Sequence, residues 1–280
     1  MKTETIDTRR RLDVLIATHG SDGLQRVADM HLPIADGVHY IVTCQASRSV
    51  EIPAPLMRSD IEVYEIPTLG LSNNRNAGIS LARAPYCLIA DNDLIYKPEG
   101  LNAVINALDT HPDVDIATFR HEGEPVRYPA VETDFTKRMP RGYSATSFEI
   151  AFRRSSIGNI RFDPNFGIGA PLACCEDPLF ILDCRRAGLR CRFFPITIVE
   201  HRELSTGFRP INDPATAMAE GAYIRLAYGL AGYARIPLFA WRAWRKGRMP
   251  LLWGMLHLTR GFFSRYVAIH KKSITNGLKK

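Results

Sequence analysis

The chain has 280 residues, 46% hydrophobic and 23% charged, ordinary values for a globular protein with a sizeable core. Its net charge of +7 is unevenly placed: residues 221–280 carry twelve Lys or Arg and no Asp or Glu, while residues 1–220 hold 24 bases against 29 acids. No run reaches the roughly 18 apolar residues of a membrane-spanning helix, the opening MKTETIDTRRR lacks the apolar core of a secretion signal, and six cysteines without C-x-x-C spacing read as the thiols of a reduced, cytoplasmic chain.

LDVLIAT (12–18) predicts an apolar strand that ends at the polar HGSDG, and a helix follows over 22–30. VHYIVTC (38–44) predicts a second strand, and the alternating IEVYEI (61–66) a third, less completely buried one. SNNRNAGISLARA (72–84) opens on a good N-cap and sets Ala77, Leu81 and Ala84 on one helical face. Tyr86–Ala90 reads as a short core strand, 98–110 as a helix, and VDIATF (114–119) as a strand. Alternating β and α segments imply an α/β fold with a mostly parallel central sheet flanked by helices, and in such sheets ligands bind beyond the carboxyl ends of the strands. Residues 120–145 are polar and aperiodic, a loop or lid candidate. A strand is expected over 145–154, then a Gly-rich turn and a helix stopped by Gly188, then the strand CRFFPITIVEH, ending at His201.

Three polar elements sit where such a sheet would use them. Asp91 and Asp93 follow a buried-looking strand; if the chain stays extended there, side chains two apart point the same way and the carboxylates converge. Converging carboxylates repel, and a hard divalent cation relieves that cost; the alternative is an Asx-rich turn. Glu176 and Asp177 precede a helix, with Pro178 at a position that suits a first turn. They read either as charges favoured by the helix dipole, by about 0.3–1 kcal/mol, or as acid–base groups. His201 is either an ordinary histidine or a ligand. The vicinal Cys174–Cys175 pair reads as core or pocket-wall thiols, with a metal or redox site as the other reading.

Over roughly residues 12–210 the sequence resembles the family 2 glycosyltransferases, which have a GT-A fold. The resemblance rests on GLSNNRNAGISLARAPYCLIADNDLIY with its R-N and D-x-D, on FGIGAPLACCEDPLFILDCRRAGL with its acceptor-side turn and E-D pair, and on IVEHRELSTG with its histidine. It implies a bacterial surface-polysaccharide type of enzyme that moves a sugar from a nucleotide-diphospho-sugar, a UDP-sugar favoured, to a hydroxyl of a glycan or lipid-linked acceptor with inversion. It implies Mn²⁺ or Mg²⁺ on Asp93, Asp91 and His201. Asp177 would be the general base, with Glu176 positioning the acceptor. Thr18, His19, Gln45, Arg75, Asn76, Asp91 and Asn92 would contact the donor. Where the family often has an Asp-Gly/Ser-Ser motif for the nucleobase, this chain has TCQAS, so Gln45 stands in that place. Residues 1–210 would be the catalytic domain.

Residues 211–280 form a helical, basic region in which Trp241, Trp244, Trp253, Phe262, Phe263 and Tyr266 lie among arginines. This mixture predicts docking on an anionic membrane surface at the inner face of the plasma membrane, with packing on the catalytic domain as the alternative and nucleic acid disfavoured for want of a nucleic-acid fold motif. Two rival functions remain at this stage: a non-catalytic sugar-nucleotide-binding scaffold, which has no need of a base, and a metal-dependent nucleotidyltransferase, whose phosphate loop ATHGSDGLQR resembles only weakly.

Overall fold

The computed structural model describes residues 10–46, 49–123, 125–203 and 209–277. The chain forms two compact units, the first of residues up to 69 with 74–158 and 188–203, the second of residues 70–73, 159–187 and 204–280.

The first unit holds one sheet. Strands β1 (Leu12–His19), β2 (Val38–Gln45), β3 (Ile61–Ile66), β4 (Tyr86–Ala90), β5 (Leu94–Tyr96), β6 (Ile116–Glu122), β7 (Thr133–Asp134), β8 (Ile150–Arg153) and β9 (Cys191–His201) run in the order β3-β2-β1-β4-β8-β6-β9-β5, with β7 also on β9. The helices are α1 (Gly20–Asp29), α2 (Leu71–Leu81), α3 (Pro98–Thr110) and the single turn α4 (Arg154–Ile157). Leu12, Val14 and Ile16 of β1 pack with Leu24 and Val27 of α1 and Leu101, Val104 and Leu108 of α3 in the main core. Alternation sends Leu15 to the opposite face, where it lies 3.5 Å from the place a Cβ on Gly78 of α2 would occupy. The sheet is therefore covered on both faces, as its nearly continuous apolar strands require.

Several sequence expectations are corrected here. The sheet is mixed rather than mostly parallel: β8 runs antiparallel to both β4 and β6, and β5 and β7 run antiparallel to β9. Helix α2 ends at Leu81 instead of residue 84, because the amides of Arg83 and Ala84 bond the Asp13 carboxylate at 2.6 and 2.8 Å and Pro85 disfavours a helical Ala84. Strand β6 runs past residue 119 into the expected loop, because His121 and Glu122 find parallel partners in Val199 and Glu200 of β9. The strand expected from residue 145 begins only at Ile150; a 3₁₀ turn precedes it, with the Glu149 carboxylate accepting from the Thr146 amide at 3.1 Å.

The second unit contains α5 (Glu176–Arg186), α6 (Pro214–Tyr228), α7 (Ile236–Arg245), α8 (Leu251–Phe262) and α9 (Arg265–Gly277). Helices α6 and α8 approach at glycines: a Cβ on Gly221 would stand 2.0 Å from the Leu258 carbonyl oxygen, and one on Gly261 would stand 1.9 Å from that of Met218. The tail helices share a core with the upstream part of the unit, Ala219, Ala222, Leu226 and Val267 packing with Phe166, Leu172 and Leu179. His270 of α9 lies 2.6 Å from an Asp163 carboxylate oxygen and 3.2 Å from one of Asp183. No helix among the described residues is long and apolar enough to cross a membrane.

Candidate active site

In the first unit the parallel strands β1, β2 and β4 bring their carboxyl ends to one side. The register sets Thr18 beside Cys44, His19 beside Gln45, and Ala90 beside Ile16. Thr18 and Gln45 are buried, and His19 is exposed. The chain does not stay extended after β4, as the convergence of the two aspartates assumed: Asn92 and Asp93 form a turn into β5. The turn is pinned by the Asn92 amide, which donates to Thr18 Oγ1 at 2.8 Å, while Asn74 donates to the Thr18 carbonyl at 2.7 Å.

The two carboxylates of the D-x-D stretch accordingly differ. Asp91 accepts from Arg75 at 2.8 Å through one oxygen and from Ser147 at 3.1 Å through the other. Arg75, only 3% exposed, thus holds the loop by an ion pair. Asp93 instead faces His201. Pairing of Leu94 with His201 in the β5–β9 ladder sets Asp93 next to that ring, with Oδ2 3.5 Å from Nε2. Burial, and secondarily the neighbouring Asp91 charge, raises the Asp93 carboxyl above its ordinary range, with His201 opposing. Among the described residues neither Asp93 Oδ1 nor His201 Nδ1, both buried, has a hydrogen-bond partner. Asp93 and His201 supply one carboxylate and one imidazole, ligand types that a divalent cation accepts, but among the described residues Asp91, Asp93 and His201 do not form a set of ligand atoms within 4.8 Å of one another.

The wall behind His201 is built. Gly123, at φ +113, leaves no room for a side chain, since a Cβ there would lie 1.8 Å from the His201 carbonyl oxygen. Phe148 packs on the His201 ring at 4.9 Å between centroids. Beneath it, buried His121 lies 2.7 Å from Glu149 Oε1 and 2.8 Å from the Tyr128 hydroxyl, which also donates to Glu149. Burial raises the Glu149 carboxyl, while His121 and Tyr128 oppose the rise.

A family model described as "Glycosyl transferase family 2" matches residues 4–166, more than half of the chain. The chain belongs to glycosyl transferase family 2. As a glycosyltransferase it shares its fold with a crystallised S. aureus TarS fragment 1–349, at TM-score 0.55 and 14% identity over 85% of this chain and 88% of that one. The same fragment in complex with UDP-GlcNAc gives a TM-score of 0.53 at 17% identity over 84% and 73%. The mannosyltransferase PcManGT from Pyrobaculum calidifontis, in complex with GDP-Man and Mn²⁺, gives 0.52 at 12% identity over 95% and 80%. Among curated proteins no sequence matches. The GT-A fold expected from the resemblance is thus present, with its C-terminal helical extension.

The matched segment of this glycosyltransferase carries Asp91, Asn92 and Asp93 and stops before Glu176, Asp177 and His201. In the second unit Glu176 is buried and Asp177 half-buried, both in the first turn of α5. The structure brings Asp93 and His201 together, and groups Thr18, Asn92, Arg75 and Asp91 through hydrogen bonds; Asn76 is half-buried on α2. Sequence reasoning missed Ser147, Asn74 and the His121–Glu149–Tyr128 cluster. The T-x-x-E signature at Thr146–Glu149 was the one available signal, and it marked a cap rather than a partner for Asp91. Residues Leu204–Phe208, downstream of the histidine in IVEHRELSTG, lie outside the described residues.

Proposed function

We propose that this glycosyltransferase transfers a sugar with inversion from a nucleotide-diphospho-sugar, a UDP-sugar favoured, to a hydroxyl of a glycan or lipid-linked acceptor in surface-polysaccharide synthesis. The observation that carries the reading is the contact of half-buried Asp93 with buried His201 at the end of β9, 3.5 Å between Oδ2 and Nε2, beside an Asp91 already held by protein. Asp93 and His201, with Asp91 directly or through water, would hold Mn²⁺ or Mg²⁺. When bound, such an ion stabilises negative charge on a diphosphate leaving group. The UDP-GlcNAc of TarS and the GDP-Man and Mn²⁺ of PcManGT support this class of donor and ion.

The chain's own residues do the rest. Arg75 and Ser147 fix Asp91, and Asn92 fixes the turn on Thr18, so the loop is set before a donor arrives. Thr18, His19, Gln45 and Asn76 are the proposed nucleotide contacts. Asp177 takes the proton of the acceptor hydroxyl as general base, with Glu176 positioning the acceptor at the start of α5. A single displacement assisted by one base gives inversion. The catalytic part spans residues 1–210.

Residues 211–280 are the proposed membrane-docking region. Helix α7 leaves Leu238, Trp241 and Trp244 exposed, and α8 leaves Leu252 and Leu256 exposed. The Arg245 guanidinium sits over the Trp241 ring at 5.1 Å. Apolar rings beside arginines, with no acid from residue 221 onward, match an anionic lipid surface at the inner face of the plasma membrane.

Thermal unfolding against a panel of UDP-, GDP- and dTDP-sugars, each with Mn²⁺ and with chelator, tests the donor reading. A UDP-sugar should raise the midpoint only when Mn²⁺ is present. Stabilisation by no sugar nucleotide, or equal stabilisation in chelator, defeats the metal-dependent reading.

A further inference from the structure

The second unit carries a cluster that this reading of the reaction does not use. Cys174 and Cys175 are adjacent in sequence, and neighbouring side chains ordinarily point apart in extended chain. Here Cys175 takes the left-handed conformation, φ +71, immediately before α5. Only two non-glycine residues among those described have positive φ, and the region is unfavourable for a side chain by about 1–2 kcal/mol. The strained turn swings both thiols to one side, with the sulfurs 3.4 Å apart. Two thiolates sharing one tetrahedral ion at about 2.3 Å each would stand roughly 3.8 Å apart, so the pair is nearly preset for chelation.

The third member comes from α6. A Glu220 carboxylate oxygen and both sulfurs lie within 4.8 Å of one another. Glu220 is flanked in sequence by Ala219 and close to Ala222, both fully buried in the apolar cluster against which the two cysteines pack. Glu220 itself is half-buried and hydrogen-bonded to Cys175, so its carboxyl already faces the dithiol. Glu176 and Asp213 add negative charge around Cys174, and Arg248 is the cation that acts on Glu220. The half-buried dithiol also keeps a link to the backbone, Cys174 Sγ donating to the Thr216 carbonyl at 3.6 Å.

We propose that Cys174, Cys175 and Glu220 form a binding site for a thiophilic divalent cation of the Zn²⁺ class. Two sulfurs and one carboxylate suit zinc and disfavour Mg²⁺ or Mn²⁺, which prefer all-oxygen or oxygen–imidazole sets. Binding releases the two thiol protons to solvent and leaves a fourth position for water. The ion ties the turn before α5 to α6. If Asp177 is the base, as proposed above, this staple sits two residues from it and holds the start of its helix; the metal site itself does not depend on that assignment.

The test uses the full-length, reduced chain, stripped by chelator and desalted, with Co²⁺ as the optical probe. One equivalent should bind with a near-ultraviolet thiolate-to-cobalt charge-transfer band that Zn²⁺ abolishes. Zn²⁺ should also slow alkylation of Cys174 and Cys175, read by peptide mass, at least ~10-fold, and leave the other four cysteines unchanged. Glu220→Gln should weaken Co²⁺ at least ~10-fold, since even an outer-sphere partner is worth that much, and Cys174→Ser/Cys175→Ser should remove the band. Asp93→Ala should keep it, which separates this site from the donor site. A wild-type chain with no band and Zn²⁺-independent alkylation overturns the proposal, as does a band that survives the double serine change. The alkylation readout needs no variant, so the proposal stays decidable if the double serine chain does not fold.

Discussion

Two aspartates at opposite ends of the same sheet, one buried and one half-buried, show how this fold separates structure from chemistry. At the amino end of β1, Asp13 is fully buried inside an apolar strand, yet both its oxygens are satisfied: Oδ1 accepts from Arg10 at 2.6 Å, and Oδ2 accepts the Arg83 and Ala84 amides. At the carboxyl end, Asp93 has a 3.5 Å contact with His201 and one buried oxygen with no partner among the described residues. Burial also raises its carboxyl, whereas the amino-end site is closed by three donors. A buried charge that is saturated is a girder; one left open, next to an open imidazole, is a socket.

The largest expected effect breaks the socket. Asp93→Ala should abolish Mn²⁺-dependent binding of sugar nucleotide, measured by calorimetry, while thermal stability without ligand stays at or above wild type. Retained affinity, the same with and without chelator, removes Asp93 from the metal role. The matching change at the girder has the opposite profile. Asp13→Ala leaves the Arg83 and Ala84 amides unpaired and Arg10 with Glu62 as its remaining carboxylate, and should cost about 2–5 kcal/mol in denaturant unfolding, with donor affinity of the folded fraction unchanged. A loss below ~1 kcal/mol would mean that water replaces the carboxylate.

A third buried cluster tests the same logic through pH. His270 lies between Asp163 and Asp183, whose carboxylates raise its pKa to about 9 against the desolvation that lowers it. The folded value exceeds the unfolded one of 6.5, so the stabilisation is complete below pH 6.5 and is lost as pH rises through 9. The two acids differ, Asp163 being lowered by its hydrogen bonds and Asp183 raised by burial. Wild-type stability should fall by up to about 3 kcal/mol across that window, and His270→Gln should flatten the fall. An equal slope in both chains places the titration elsewhere.

Smaller effects sharpen the comparison between chemistry and scaffold. Asp177→Asn should leave donor affinity intact and lower transfer by roughly 10²-fold or more, the scale of a lost general base; transfer within a few-fold of wild type would shift the role to Glu176. On the exposed side of α7, Arg242→Gln and Arg245→Gln should each weaken binding to anionic vesicles by up to about 1 kcal/mol at low salt, with neutral vesicles bound little by any variant. Indifference of the wild-type chain to anionic vesicles would make the tail purely a packing element.

Element order and type along β1, α1, β2, β3, α2, β4 and α3 were legible because apolar periodicity and Gly or Pro punctuation are local. The D-x-D and E-D pairs and His201 were legible as residue types at the ends of such elements. Two errors came where a partner distant in sequence won, Asp13 shortening α2 and β9 lengthening β6, while the third was local, the Thr146–Glu149 cap turning residues 147–149 into 3₁₀. The tail's basic and aromatic content was plain, but its glycine-mediated packing of α6 on α8 was not, because Gly221 and Gly261 act through each other's backbone neighbourhood.

Sequence by itself thus determined the α/β alternation, the chemical inventory at the strand ends and the charge asymmetry of the last sixty residues, all properties of neighbours along the chain. The tertiary structure alone decided which aspartate is saturated and which is open, that Arg75 and Ser147 hold Asp91, and that two adjacent thiols converge with Glu220. Those outcomes depend on hydrogen bonds and close approaches between residues tens of positions apart, and the pattern of neighbours does not encode which distant donor arrives first.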